Sequence, residues 1–540
     1  MLRNKILIRL SFIIIASIFL IVNLPAQTAE SGGGVFFNVL NYGAKKDGTT
    51  KDTKAIKDAI DAAAAQGGGT IYFPPGTYLT GPIHFKSNIT IFIDAGAVIK
   101  FSTDYDDYLP MVKSRWEGTV NMNFSPLFYG YKVENIAIIG RGTIDGQGQK
   151  WWKFEEKVRN EYDKTGKVKE NTKWQEMHRK LNAGVDDPGT WNWKSAHFLR
   201  PPFIQPFMCS NILIQGITIK NSPFWNITPT FCKNVTVDGV TIESPADSPN
   251  TDGIDPSSCS QVRIANCFIN VGDDCIAIKS GRDADGRKYG VPSEDITITN
   301  CTMLNGHGGV VIGSEMSGGV KRVTISNCVF DGTDRGIRIK TMRGRGASVE
   351  GVRVDNIVMR HIKREAFMVN MEYKKSEPEP LSDRTPALKD FHYSNITVES
   401  AKTAGFILGL DERHANNITF DDININADNG FTIKKADDIE FHNVRVNCKK
   451  GNPFFADGAS GLTFDGVKTM TPAENVPMIR LKNVTGALIE NCNPVRGTGT
   501  FLKVEGKNTK DVYGQTNYLK NAMKKVELDP DVLVNAVDIK

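Results

Sequence analysis

The chain has 540 residues, 40% of them hydrophobic and 24% charged, with 50 glycines, a balance that supports a large packed core and excludes a disordered chain. The formal net charge is +5, and Lys and Arg are scattered among nearly as many acids. No basic face of the kind nucleic acid requires is visible, so nucleic acid is not an expected partner.

Residues 1–26 place Arg3, Lys5 and Arg9 ahead of the apolar run Ser11–Val22 and end at Leu24-Pro25-Ala26. This is the three-part pattern of an export signal, cleaved after Ala26. The run is short for a bilayer span and no Cys follows it to carry a lipid, so the expectation is an exported protein, periplasmic or secreted, with no stable membrane anchor. Losing this segment removes three positive and no negative charges and leaves +2.

After an opening strand and a Gly/Asp turn, an Ala-rich helix is predicted from about Thr53 to Ala65, with Asp52 at its N-cap and Gly67 to Gly69 as its stop. It suits a cap over the first coil of a solenoid, whose core has no neighbour to cover it. TIYF and ITIFIDAG then read as strands. From Asn135 onward one unit recurs: Asn or Asp, an Ile/Val alternation, a small polar corner and another short strand. Corner residues Gly216, Gly239, Asn266, Asn300, Asn327 and Asn356 are spaced by 23, 27, 34, 27 and 29.

That period with short strands predicts an all-β, right-handed parallel β-helix. A leucine-rich horseshoe would need recurrent Leu and helical returns, which are missing. The corner Asn residues are read as structural, able to adopt the left-handed conformation and to bond in ladders. Cys209, Cys232 and Cys259 enter one alternation and Cys267, Cys301 and Cys328 leave it, so they are read as packed rows of small hydrophobes. Spacing alone leaves isolated disulfides open.

The repeat is interrupted once, over 149–199, by a charged stretch containing Trp151, Trp152, Trp174, Trp191 and Trp193. Such an insertion usually maps to one face, and the tryptophans point to the wall of a site. Residues 27–507 form the β-helix domain in this reading, and 508–540 a charged terminal cap.

Chemistry concentrates between Asn250 and Lys340. Asp252, the pair Asp273 and Asp274, His307 between two glycines, and Arg338 with Lys340 fall on successive repeats. Positions one repeat apart lie about 4.8 Å apart on one face, so these groups can line one cleft. Three carboxylates so close raise at least one pKa, which leaves an acid beside ionised neighbours, as glycosidic cleavage requires. Metal ligation is the rival use of the aspartates. Arg338 and Lys340, two apart on a strand, share a face and suit a carboxylated sugar. A buried ion pair with the aspartates is the competing reading of those cations.

Asn250-Thr251-Asp252, Gly272-Asp273-Asp274, Gly306-His307-Gly308 and Arg338-Ile339-Lys340 resemble, in order and approximate spacing, the four signature segments of the polygalacturonases, glycoside hydrolase family 28. Each triplet is weak alone, whereas the ordered set is highly specific. The resemblance runs from about Phe36 to about Val504. It implies inverting hydrolysis of α-1,4-galacturonosidic bonds in polygalacturonate, without cofactor or metal. Asp273 would be the general acid, Asp252 and Asp274 the bases that activate water, and His307 the group that tunes the acid. Asn250, Arg338, Lys340 and Tyr373 would contact substrate. Inversion implies carboxyl groups roughly 6.5 to 9.5 Å apart.

The segments show no departure of the kind that marks rhamnogalacturonan-cutting members. The stretches Lys279–Gly290 and Gly308–Val320 resemble the bacterial exo-acting branch. The expectation is therefore a monomer that acts from the non-reducing end, with 149–199 as the wall and with Lys279 and Arg282 near the closed subsite. Endo action or a rhamnogalacturonan or xylogalacturonan substrate is the alternative. Rival readings are a calcium-dependent pectate lyase on the same fold and a noncatalytic carbohydrate-binding β-helix, which would not need the complete set of acids.

Overall fold

The computed structural model describes residues 36–165, 172–185 and 199–540; the leader and Trp191 and Trp193 lie outside them. Three short strands separated by turns make each coil, and each strand pairs in parallel with its counterparts one coil earlier and one coil later. The result is an all-β, right-handed parallel β-helix. Alternation explains the core, because every second residue of a strand points inward. Ile212, Val235, Val262, Ile296 and Val323 stand in register on successive coils, and all are buried. Further along the axis the inward row becomes aromatic: Tyr393, Phe420, Phe441 and Phe464 stack at 4.9, 5.0 and 5.5 Å.

At the corners, Asn135, Asn211 and Asn234 hold φ of 55°, 57° and 59°. Each donates its side-chain N–H to the Oδ1 of the Asn one coil earlier, at 2.8, 2.8 and 2.7 Å, beginning at Asn88. Short polar side chains tolerate this left-handed backbone, so turning the chain and joining the coils is one task for one residue type. The expected corners Asn266, Asn300, Asn327 and Asn356 have φ between 53° and 58°. All nine cysteines are free thiols, and eight are buried, among them the two rows read from the spacing.

Helix α1 spans Thr53–Ala65 and buries Ala55, Ile56, Ala59, Ile60 and Ala63 against the first coil. Asp52 precedes it, but its carboxylate makes no cap bond. It accepts instead from the Lys45 and Lys46 amides, at 2.7 and 3.3 Å, and so ties down the turn before the helix. Residues 510–540, expected as a cap outside the repeat, add strands: Lys510–Gln515 pairs with Thr485–Glu490, and Ala522–Leu528 with Thr498–Glu505.

Besides a short helix at Asp283–Tyr289, two excursions leave the coils among the described residues, where one was expected. Helices α2 (Gln149–Thr165) and α3 (Lys173–Leu181) form the described part of the insertion. Its three described tryptophans are spent on packing. Trp151 is 1% exposed and lies 4.4 Å from the Tyr105 ring, Trp152 donates to the Ser222 carbonyl, and Trp174 donates to Asp106. The second excursion is an antiparallel hairpin, Val112–Trp116 with Thr119–Asn123. Among the described residues no helix is long and apolar enough to cross a membrane.

Phe441, with no exposed surface, is held between two stacked rings. Phe441→Ala is expected to lower stability by roughly 3–5 kcal/mol, measured from the shift of the guanidinium unfolding curve. A loss under about 1 kcal/mol would mean that the neighbouring rings close the hole.

Candidate active site

The four predicted segments come together on the third strand face, where Ile254, Ile276, Val310 and Ile337 stack in register along the inside. Asp252 and Asp274 lie just before the strand on neighbouring coils, and the Asp274 carbonyl accepts from the Gly253 amide. Their loops are tightly tied. Thr251 Oγ1 accepts from the Gly272 amide at 3.1 Å, and Asn226 donates to the carbonyls of Thr251 and Asp252. Gly306 has φ +68°, and a Cβ there would stand 2.6 Å from the Asp273 carbonyl. Only glycine lets the His307 loop approach this closely.

One carboxylate oxygen from each of Asp252, Asp273 and Asp274 lies within 4.8 Å of the other two, so the three form one cluster across adjacent coils. Of the three, Asp273 reaches the cleft surface with 18% of its side chain exposed, whereas the side chains of Asp274 and Asp252 are 1% and 3% exposed. His307 Nδ1 stands 3.0 Å from Asp273 Oδ1, and that bond, working against burial, raises the histidine pKa.

Arg338 and Lys340 share the outer face of Ile337–Lys340, as the alternation predicted. Both pair with Asp274, Lys340 Nζ at 2.8 Å and Arg338 Nη1 at 3.4 Å. Burial would raise the Asp274 pKa, but these cations hold it well below the usual carboxylate range. Tyr373 lies over both, its ring centre 5.3 Å from Lys340 Nζ and 5.6 Å from the Arg338 guanidinium. Asn250 lines the cleft and accepts from Arg200 at 2.7 Å.

Lys279 is more deeply set than the sequence suggested. Its ammonium sits 3.4 Å from Asp252, 3.6 Å from Asp255 and 3.5 Å from Glu315, and 4.3 Å above the Trp225 ring. Burial opposes its charge, but these acids raise its pKa well above the ordinary value. Asp252 is pushed strongly upward by burial and by Asp273 and Asp255, with Lys279 opposing. Arg282 pairs with Glu117 at 3.1 Å on the hairpin turn.

Asp255, Glu315, Glu117 and Arg200 were missed by sequence reasoning. Asp255, three after Asp252 in DGIDP, and Glu315, in GSEMSGG, carried a usable signal: an acid beside a signature segment. All of these groups except Asp255 and Arg200 line one cleft of about 820 Å³. Three carboxylates form a set that a hard divalent cation accepts. Here Lys340, Arg338 and Lys279 already supply positive charge to two of them.

Lys340→Met is expected to raise the Asp274 pKa and to cost about 3–5 kcal/mol near neutral pH, since it leaves a buried carboxylate short of charge. A depressed carboxylate pKa adds stability above the unfolded value of about 4 and loses it as pH falls below that. The gap between parent and variant should therefore narrow in acid. Urea unfolding at pH 7 and pH 3.5 checks this, and a gap independent of pH would count against the charge argument.

Two family models match the chain: glycosyl hydrolases family 28 over residues 186–448, and rhamnogalacturonase A/epimerase, pectate lyase-like, over 36–173. A probable polygalacturonase of Vitis vinifera is 30% identical over 69% of this chain and 70% of its own length. The exo-poly-α-D-galacturonosidase of Dickeya chrysanthemi is 26% identical over 81% and 75%. Among solved structures, the hyperthermoactive exopolygalacturonase of Thermotoga maritima is 36% identical with a TM-score of 0.68, covering 76% of this chain and 91% of that one. With the four segments assembled in one cleft and relatives matched over most of their length, this chain belongs to glycosyl hydrolases family 28 and is a glycoside hydrolase.

Proposed function

We propose that the protein hydrolyses α-1,4-galacturonosidic bonds of polygalacturonate by inversion, from the non-reducing end. The observation that carries this reading is the pairing of a carboxylate cluster with Arg338, Lys340 and Tyr373 in one cleft. The aspartates supply acid and base, and the two cations and the ring suit a sugar bearing a carboxylate. The names of the Dickeya and Thermotoga relatives point the same way.

Asp273, the most exposed of the three, is the general acid, with His307 against it. Asp252 and Asp274 hold the attacking water between them on the floor. Two hydrogen bonds of about 2.7 Å meeting at a water near the tetrahedral angle span about 4.5 Å, so oxygens within 4.8 Å suit a water-bridged pair.

Exo action is supported by unequal burial along the outer face of the floor. On the N-terminal side the hairpin lies over it: Ser114 bonds Gln205, Arg115 donates to Ser257 and Ser258, and Trp116 stacks on Phe224 at 5.1 Å. The Gly118 carbonyl accepts from the Arg282 amide, which fastens the turn beside the cleft. On the C-terminal side the outward Phe406, Thr432, Phe455 and Arg480 are only partly buried. The hairpin residue Glu117 and Arg159 of α2 both line the cleft, so the hairpin and the insertion each contribute to its wall. Export of the protein by its first 26 residues remains part of this proposal.

Asp273→Asn is expected to lower turnover by 10²–10⁴-fold with KM little changed. Parent-like turnover in a folded variant would remove Asp273 from the acid role. In a digest of polygalacturonate, mono- or digalacturonate should appear from the first minutes while viscosity falls slowly, and proton magnetic resonance should find the β-anomer first. Rapid thinning with mid-length oligomers would overturn exo action, and a first-formed α-anomer would overturn inversion.

A further inference from the structure

Beneath the aspartate cluster lies a carboxyl group for which the reaction above has no use. Asp255 has no exposed surface, and neither of its carboxyl oxygens has a hydrogen-bond partner. It occupies an outward position of the floor strand, flanked through the register by Thr228 and Ala277, which bring no charge. The charged groups that face it are Lys279 above, Asp252 on its own strand, Asp273 and Asp274 on the next coil, and Glu315 beyond Lys279. Arg115 of the hairpin is directed to Ser257 and Ser258.

The distribution of positive charge is uneven. Asp274 has Lys340 and Arg338, and Glu315 has Arg345 at 3.7 Å besides Lys279. Asp252 and Asp255 have between them only a share of the Lys279 ammonium, at 3.4 and 3.6 Å. Two buried carboxylates facing one shared cation cannot both ionise cheaply. Burial is also the main force on Asp255 by itself, pushing its pKa to about 7.

We propose that Asp255 is a positioning residue that shares one proton with Asp252 across Lys279, and thereby sets the pH at which Asp252 becomes a free base. When the proton rests on Asp255, Asp252 is ionised, no longer divides its share of the ammonium with Asp255 and can accept a proton from the attacking water. When the proton rests on Asp252, the base is blocked. The pair titrates as a unit. This inference rests on Asp252 acting as a base in the proposed reaction.

The test is Asp255→Asn in the full-length enzyme, a near-isosteric change that leaves Asp252 and Glu315 as the acids on Lys279. The acid limb of the kcat/KM profile on polygalacturonate should move to lower pH by about one unit, with KM at the optimum unchanged. A residue that merely packs would lower kcat at every pH and leave the limb where it is, and that result would overturn the proposal. Lys279→Met should move the limb the other way, because Asp252 then loses its counter-charge.

A second measurement needs no substrate, so it separates this proposal from the assigned reaction. A buried acid with a raised pKa costs the folded state progressively more as pH rises from about 4 to about 7. Asp255→Asn removes that cost. Its melting temperature relative to the parent should climb across that window and level off above it. A difference that stays flat with pH would overturn the shared proton even if the enzyme proves active on galacturonan.

Discussion

Parallel pairing of one coil on the next fixes everything else in this molecule. Because each strand bonds only to its counterparts one coil away, side chains at equivalent positions are held about 4.8 Å apart along the axis. Inside, that spacing suits stacked Ile, Val and Phe side chains, and at the corners it suits a chain of asparagine amides. At the cleft the same spacing forces Asp252 against Asp274 and sets Lys340 within 2.8 Å of a carboxylate two coils away. The solenoid thus brings like charges together by construction and must distribute cations among them.

That distribution defines the site. Five acids, Asp252, Asp255, Asp273, Asp274 and Glu315, meet Lys279, Arg338, Lys340 and the more distant Arg345 in a water-poor floor. Where two cations converge, as on Asp274, the carboxyl stays ionised; where cation is short, as at Asp252, protonation is favoured. Different roles for chemically identical residues follow from their neighbours. The arrangement also gives an incoming anionic sugar something to compete for, since its carboxylate can draw on the cations that Asp274 now holds.

Much of this was legible in the sequence, and the reason is periodicity. An alternation that returns every 23 to 34 residues fixes strand, inward face and corner without reference to any partner. The same regularity placed Asp252, Asp273, Asp274, His307, Arg338 and Lys340 on one face. What escaped lies off the repeat or depends on direction. The hairpin at 112–123 is a single antiparallel excursion, so no second copy announces it. By sequence alone Trp151 is equally suited to a wall or to a core, and the rings of Tyr105, Tyr108 and Phe124 around it decide for the core. Asp255 escaped because its burial is created by Lys279 and by coils outside its own segment. Asp52 stands where a cap belongs, yet the amides of Lys45 and Lys46 take its carboxylate.

The nine unpaired thiols have a consequence for how this chain reaches its fold. A small exported domain commonly relies on covalent cross-links to limit its unfolded state. Here no bond of that kind has to be made, proofread or isomerised, and cohesion comes chiefly from contacts between adjacent coils. Assembly can proceed coil by coil, each finished turn serving as template for the next, and it needs neither an oxidant nor an isomerase. The same chain should tolerate strongly reducing surroundings as readily as oxidising ones.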